Sequence, residues 1–221
     1  MNLMNFLILI NSEKTLTDWN GRRRHYIPGT TFEIPVDTTL TAYQTFLQKT
    51  YNVKLVSNLR WAYEKDFYGL NDLVVFNLIK NNIGKRPICF ANNGKSSHLV
   101  GLAPYLIQKG MISELVPIQR TTKDNNPKLV DTKVSYKLLV ENSYFKEFNS
   151  TQTYVKDENR TYAKEILRQN YYFLAQALFE ENKIEKAKKT IDKCLKLFPN
   201  DEIAYKQYAF AIGRLYHRMG F

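Results

Sequence analysis

The sequence predicts an α/β N-terminal part with a small, partly parallel sheet, followed by an all-α helical hairpin. Three observations predict it. Short apolar runs bounded by polar clusters recur up to residue 118, the habit of strands. Between 86 and 118 two such runs flank an amphipathic stretch, a strand–helix–strand (βαβ) order that favours parallel pairing with a right-handed crossover. From Glu158 the apolar spacing is helical to the end, broken near Asn182 and at Pro199. The expected division is 1–141 for the α/β domain, 142–157 for a connector and 158–221 for the helices.

The elements follow in order. Residues 1–10 are apolar but too short to span a bilayer, and they lack the basic leader and small-residue cleavage site of a secretory signal. They read as a helix or strand packed on the body, and nothing else in the sequence approaches a membrane span. Thr31–Val36 alternates as a strand, with Pro35 marking an edge or an end. Residues 39–49 read as a short amphipathic helix and Val53–Leu59 as a strand. Asn71 or Asp72 is placed to cap a helix through Leu73, Val74, Phe76, Leu78 and Ile79, apolar on most sides and so expected to be buried. Arg86–Ala91 reads as an interior strand, Leu99–Lys109 as a helix closed by Gly110, and Ile112–Ile118 as the next strand. Residues 119–130 read as an exposed polar loop and Asp131–Glu141 as helical. Residues 142–157 carry no assignable period.

Composition limits the function classes. Apolar residues at 44% and aromatics at 14% of 221 residues are enough for a packed core, which excludes wholesale disorder. The formal charge is +11, with 19 basic against 12 acidic residues in 1–150 and 13 against 9 in 151–221. The excess is spread out, and it favours anionic partners such as a membrane surface. Arg22, Arg23 and Arg24 form a tight basic patch, extended by His25 and Tyr26. No RRM, KH or helix-turn-helix signature accompanies them, so nucleic acid is disfavoured. Cys89 and Cys194 form no CxxC and have no His at zinc-ligand spacing. Both sit in apolar patterns, where a buried thiol is expected.

The last sixty or so residues carry the clearest local signal. With Pro199 as the closing proline of a 34-residue repeat, the packing positions fall on Tyr171, Leu174, Ala175, Leu178, Ala187, Ile191 and Cys194. This set resembles a tetratricopeptide repeat, with Leu178 for the usual tyrosine and Cys194 for alanine. Small residues at 175 and 187 let two helices approach, while Tyr171, Leu174 and Ile191 fill the groove between them. Tyr205, Tyr208, Ala209 and Ile212 begin a following helix. One repeat cannot bury both of its faces, so the hairpin must dock on the α/β part or on another chain.

Gly94-Lys-Ser-Ser97 follows an apolar strand but departs from GxxxxGK[ST], since Cys89 holds the first glycine position. The loop after Ala91 sits where ligands of parallel sheets bind, which makes Asn92, Asn93, Lys95 and His98 the small-ligand candidates. A small nucleotide- or phosphate-binding enzyme built on loop 92–98 is therefore the alternative function. The histidines and carboxylates show no spacing for a catalytic set or a metal, and no cofactor is expected.

Several segments in order resemble one family: Phe32-Glu-Ile-Pro-Val-Asp37, Leu70-Asn-Asp-Leu-Val-Val75, Lys85-Arg-Pro-Ile-Cys-Phe-Ala91, Gly101-Leu-Ala-Pro-Tyr-Leu106 and Leu115-Val-Pro-Ile118, then the repeat from Leu174 to Pro199. They are similar to the soluble C-terminal part of bacterial multi-pass membrane proteins, a domain of unknown function in glycosyltransferase-like, protein O-mannosyltransferase-like chains. Cys89 departs from the aromatic usual there. In that family glycosyl transfer belongs to the membrane region, and no residue here matches its acidic motif. The resemblance thus implies a non-catalytic accessory domain, membrane-associated on the extracytoplasmic (periplasmic) side. The partners it implies are a protein, an acceptor, the membrane-embedded region or the membrane surface.

Overall fold

The structure is a computed structural model and describes residues 15–17, 21, 23–25, 31–36, 45, 55–63, 70–92, 99–118, 129–142, 158–199 and 203–221. Strands β1 (Thr15–Thr17), β2 (Arg23–His25), β3 (Thr31–Pro35) and β4 (Asn58–Ala62) precede helix α1 (Leu70–Asn82) and strand β5 (Ile88–Ala91). A 3-10 turn (Ala103–Tyr105) leads to β6 (Leu106–Lys109), β7 (Ile112–Leu115) and β8 (Leu129–Val130). Helix α2 (Thr132–Tyr136) runs on into a π turn (Lys137–Glu141), and α3 (Glu158–Glu180), α4 (Ile184–Leu197) and α5 (Gln207–Arg218) complete the chain. Mixed sheets with helices followed by a helical C-terminal region is the architecture the sequence predicts. The expectations for 1–10 and 142–157 lie outside the described residues, apart from Asn142. Of 39–49 only Thr45 is described, and it is helical. Among the described residues no helix is long and apolar enough to cross a membrane.

The chain divides into two compact units. The first comprises 1–89, 95–106 and 114–123. Here β1 pairs antiparallel with β2, and β3 with β4 in the register Phe32↔Trp61 and Ile34↔Leu59. Alternation decides which face is buried: Phe32, Ile34, Leu59, Trp61 and Tyr63 turn inward while Asn58, Arg60 and Ala62 are exposed. The strand therefore lies later than the expected 53–59, because the inward set starts at Leu59; Leu55 makes only an isolated bridge to Ile118. Phe76 of α1 meets Phe32 at 5.1 Å and Tyr63 at 5.7 Å between ring centroids, which closes an aromatic core. Asp72 caps nothing. It lies within the first turn of α1, where its carboxylate accepts a 2.7 Å bond from the Tyr63 hydroxyl. Val74 and Leu78 are exposed, so α1 is buried on one side only.

The second unit comprises 90–94, 107–113 and 124–221. A four-stranded sheet has the order β5-β7-β6-β8. The predicted helix at 99–109 is absent: the turn at Ala103–Tyr105 gives way at once to β6. The two-residue turn Gly110–Met111 then makes β6 and β7 antiparallel. Gly110 (φ 66°) serves that turn rather than a helix end. The Asn92 amide donates to Met111 O, which sets the end of β5 beside the start of β7, so these strands are antiparallel as well. The expected βαβ crossover is thus replaced. The parallel ladder joins β6 to β8 through Ile107↔Leu129 and Gln108↔Val130, inside the stretch predicted to be loop. β5 lies at the sheet edge, and Cys89 on it is exposed rather than buried.

Asp131 caps α2, its carboxylate accepting from Val134 N at 2.9 Å. Val130, Tyr136 and Leu139 share one core with Leu167, Leu174, Ile191 and Leu215 of α3, α4 and α5. These apolar groups bury one another within the second unit.

Candidate functional site

The helical repeat is built as its residue sizes dictate. Tyr171, Leu174, Ala175 and Leu178 on α3 are buried, as are Ala187, Ile191 and Cys194 on α4. Ala175 and Ala187 have no exposed surface and hold the two helices close. The Tyr171 ring meets Phe198 edge-on at 6.1 Å, and its hydroxyl donates to Leu139 O at 2.6 Å. Asn182, at φ 60°, makes the left-handed turn between α3 and α4. Pro199 follows α4, half buried, and Pro199 O accepts the Ile203 amide.

Arg168 was not singled out by the sequence, yet it is the largest fully buried side chain among the described residues. One terminal nitrogen donates to Phe198 O at 2.9 Å and Ile203 O at 3.3 Å; the other donates to Ala204 O at 3.3 Å and to Glu165 at 3.1 Å. Its guanidinium also lies over the Tyr205 ring. It fixes the segment between α4 and α5. α5 then packs through Tyr208, whose hydroxyl accepts from Gln169 at 2.6 Å and whose ring touches Tyr172 and Phe173. Arg218 covers the Phe179 ring, and Lys188 of α4 lies over Tyr216 and Phe221. The buried face of α5 is Ala209, Ile212 and Leu215; Lys206, Phe210, Gly213, Arg214 and His217 are exposed.

Burial also sets proton affinities. The Cys194 thiol is pushed up to about 12 by burial, and burial raises Tyr208 and Tyr136 as well. Burial lowers Lys193, whose ammonium donates to Val140 O at 2.5 Å.

Of the predicted small-ligand residues, Asn92 alone is described. Asn93, Lys95 and His98 lie outside the described residues. The Asn92 side chain is engaged: its amide nitrogen donates to Asn170 Oδ1 at 3.1 Å and Gly110 O at 3.5 Å, and its oxygen accepts from Ser113 at 2.5 Å. Gln108 donates to Asn170 O at 3.1 Å, which ties the sheet to α3. Arg22 lies outside the described residues, and Arg23 and Arg24 belong to β2. Among the described residues no three of His, Cys, Asp and Glu converge as a metal site would require.

The family model for TMEM260-associated domain 2 matches residues 1–134. The chain belongs to the TMEM260-associated domain 2 family. A tetratricopeptide repeat model matches residues 168–211, from the buried Arg168 through α4 into α5. No curated protein and no solved structure matches the chain. The TMEM260-associated domain is thus followed by a repeat of a type that serves protein–protein interaction.

Proposed function

We propose that this chain is a protein-interaction accessory domain of a membrane glycosyltransferase-like, protein O-mannosyltransferase-like protein, working on the extracytoplasmic side. Transfer chemistry belongs to the membrane-embedded region, and the chain engages an acceptor or a partner subunit. One observation carries the reading: α3, α4 and α5 form a complete repeat hairpin plus the first helix of the next, and α5 leaves one face uncovered. Stacked repeats normally cover such a face with another helix, so an uncovered one is where a partner fits. The spread of positive charge supports a partner, or a membrane surface nearby, of negative sign.

The test is made in cells expressing the membrane protein with and without residues 158–221. Glycan occupancy of acceptor proteins, read by mass spectrometry, is expected to fall on deletion while transfer to a short soluble acceptor persists. Unchanged occupancy refutes the reading. An ATP-dependent thermal stabilisation that is lost in Lys95→Ala would replace it with the nucleotide-binding alternative.

A further inference from the structure

The uncovered face of α5 carries more than exposure. Phe210 is 68% exposed, the highest value among the large apolar side chains described. A single exposed apolar residue is ordinary on a protein surface and alone implies nothing. Gly213 adds an independent observation. It lies one turn further along the same face, where glycine costs about 1 kcal/mol relative to alanine. Neither internal reason for a glycine applies here. Its φ is not positive, and a Cβ built on it would meet nothing within 4 Å. Packing within this chain does not require glycine at 213, whereas close approach from outside would.

Charge is the third observation. α5 has no acidic residue. Lys206 and Arg214 lie one turn before and one turn after Phe210, and His217 follows. None of the three forms an ion pair with a described residue. A bare aromatic ring, an open patch of helix backbone and flanking cations therefore share one face.

We propose that this face of α5 docks an acidic, apolar-bearing helical segment of a partner protein, its backbone crossing over Gly213. An apolar side chain of that segment covers the Phe210 ring, and its carboxylates reach Lys206 and Arg214. A helix fits because ridge-into-groove packing brings two backbones closest where a side chain is missing. An anionic bilayer would use the cations and the ring but has no use for an absent Cβ, so the protein partner is favoured. This inference rests on the interaction reading and adds the face and the chemistry of what binds.

The probe is a fluorescein-labelled peptide of about 15 residues, long enough to form a helix, composed of Glu and Ala with Leu along one side. A counterpart with Lys for Glu and phosphatidylglycerol vesicles are measured alongside, all against the full 221-residue chain. The acidic peptide is expected to bind and its Lys counterpart not to. Affinity should fall roughly tenfold or more, equivalent to about 1.4 kcal/mol, in Gly213→Leu, in Phe210→Ser and in the double variant Lys206→Glu, Arg214→Glu. Gly213→Leu improves helix propensity, so its melting temperature should not drop and lost binding cannot be blamed on unfolding. Equal binding by Gly213→Leu and the parent overturns the proposal, as does absence of peptide binding. Vesicle binding that depends on Phe210, without peptide binding, overturns it in favour of a membrane surface. A chain that supports acceptor glycosylation in cells yet ignores the acidic peptide refutes this face alone and leaves the interaction reading standing.

Discussion

A guanidinium without exposed surface is tolerated where carbonyl oxygens replace its water, and Arg168 is placed among three of them at the α4–α5 junction. Its Nε finds no partner among the described residues, and the side chain is held by its two terminal nitrogens. Replacing it with methionine keeps the volume but leaves Phe198 O, Ile203 O and Ala204 O without their donor. Arg168→Met is expected to lose about 2–4 kcal/mol in urea unfolding. Arg168→Lys should recover little of that, because an ammonium cannot spread its donors as the planar fork does. A loss under about 0.5 kcal/mol, the range of ordinary surface changes, would show that the junction holds without the clamp. The two cysteines separate just as cleanly. Cys89 is exposed and Cys194 is buried with a raised thiol. A thiol reagent at pH 8 should therefore modify Cys89 quickly and Cys194 only after denaturation. Fast modification of both in the native chain would contradict the repeat core.

Elements were legible where a periodic pattern and its packing partner lay close together in sequence. The α3–α4 hairpin is the clearest case: small residues at 175 and 187, large ones at 171, 174 and 191, and a stop at Pro199 are all local, and all are core in the structure except the half-buried proline. β3 was legible for the same reason, ending at Pro35. The stretch from 99 to 109 was not. Its apolar residues suit either period, and what decides for a strand is the tight turn at Gly110 together with a parallel neighbour, β8, about twenty residues further on. Of the candidate site, the repeat packing was readable. The Arg168 clamp and the Asn92–Asn170 contact were not, because their partners lie 30 to 78 residues away. Two substitutions test the elements themselves. Asp131→Ala removes the α2 cap and should lower stability by about 1 kcal/mol, measured by chemical denaturation. Gly101, at φ 85°, has its would-be Cβ 1.9 Å from Ala62 O, so Gly101→Ala must shift β4 and should cost well over about 1 kcal/mol. A neutral Gly101→Ala would mean that β4 does not run beside this turn.

At the scale of the whole molecule, two electrostatic effects oppose each other as the pH rises above 8. The chain carries +11 at pH 7 and a sequence pI near 9.5, so moving toward that pI relieves self-repulsion and favours the folded state. The buried acids act the other way. The Cys194 thiol ionises near 9.0 when exposed but near 12 in the fold, because burial disfavours the thiolate. Its folded value is raised, so its contribution to stability is complete below about pH 9 and is lost as the pH climbs through about 12. For one such group the loss is on the order of 1 kcal/mol by pH 10 and roughly 3 kcal/mol by pH 11. Tyr136 and Tyr208 are raised by burial and add in the same direction. Relief of repulsion among exposed charges is screened at ordinary salt and is worth less than a buried ionisation, so the burial effect wins. Urea midpoints measured from pH 8 to 11 in constant salt should therefore fall. Cys194→Ala, which installs the residue usual at this repeat position, should start lower in stability but fall less steeply. If the two proteins lose stability in parallel, the alkaline response belongs to the tyrosines and the lysines, and the thiol at the heart of the hairpin is not where the proton is held.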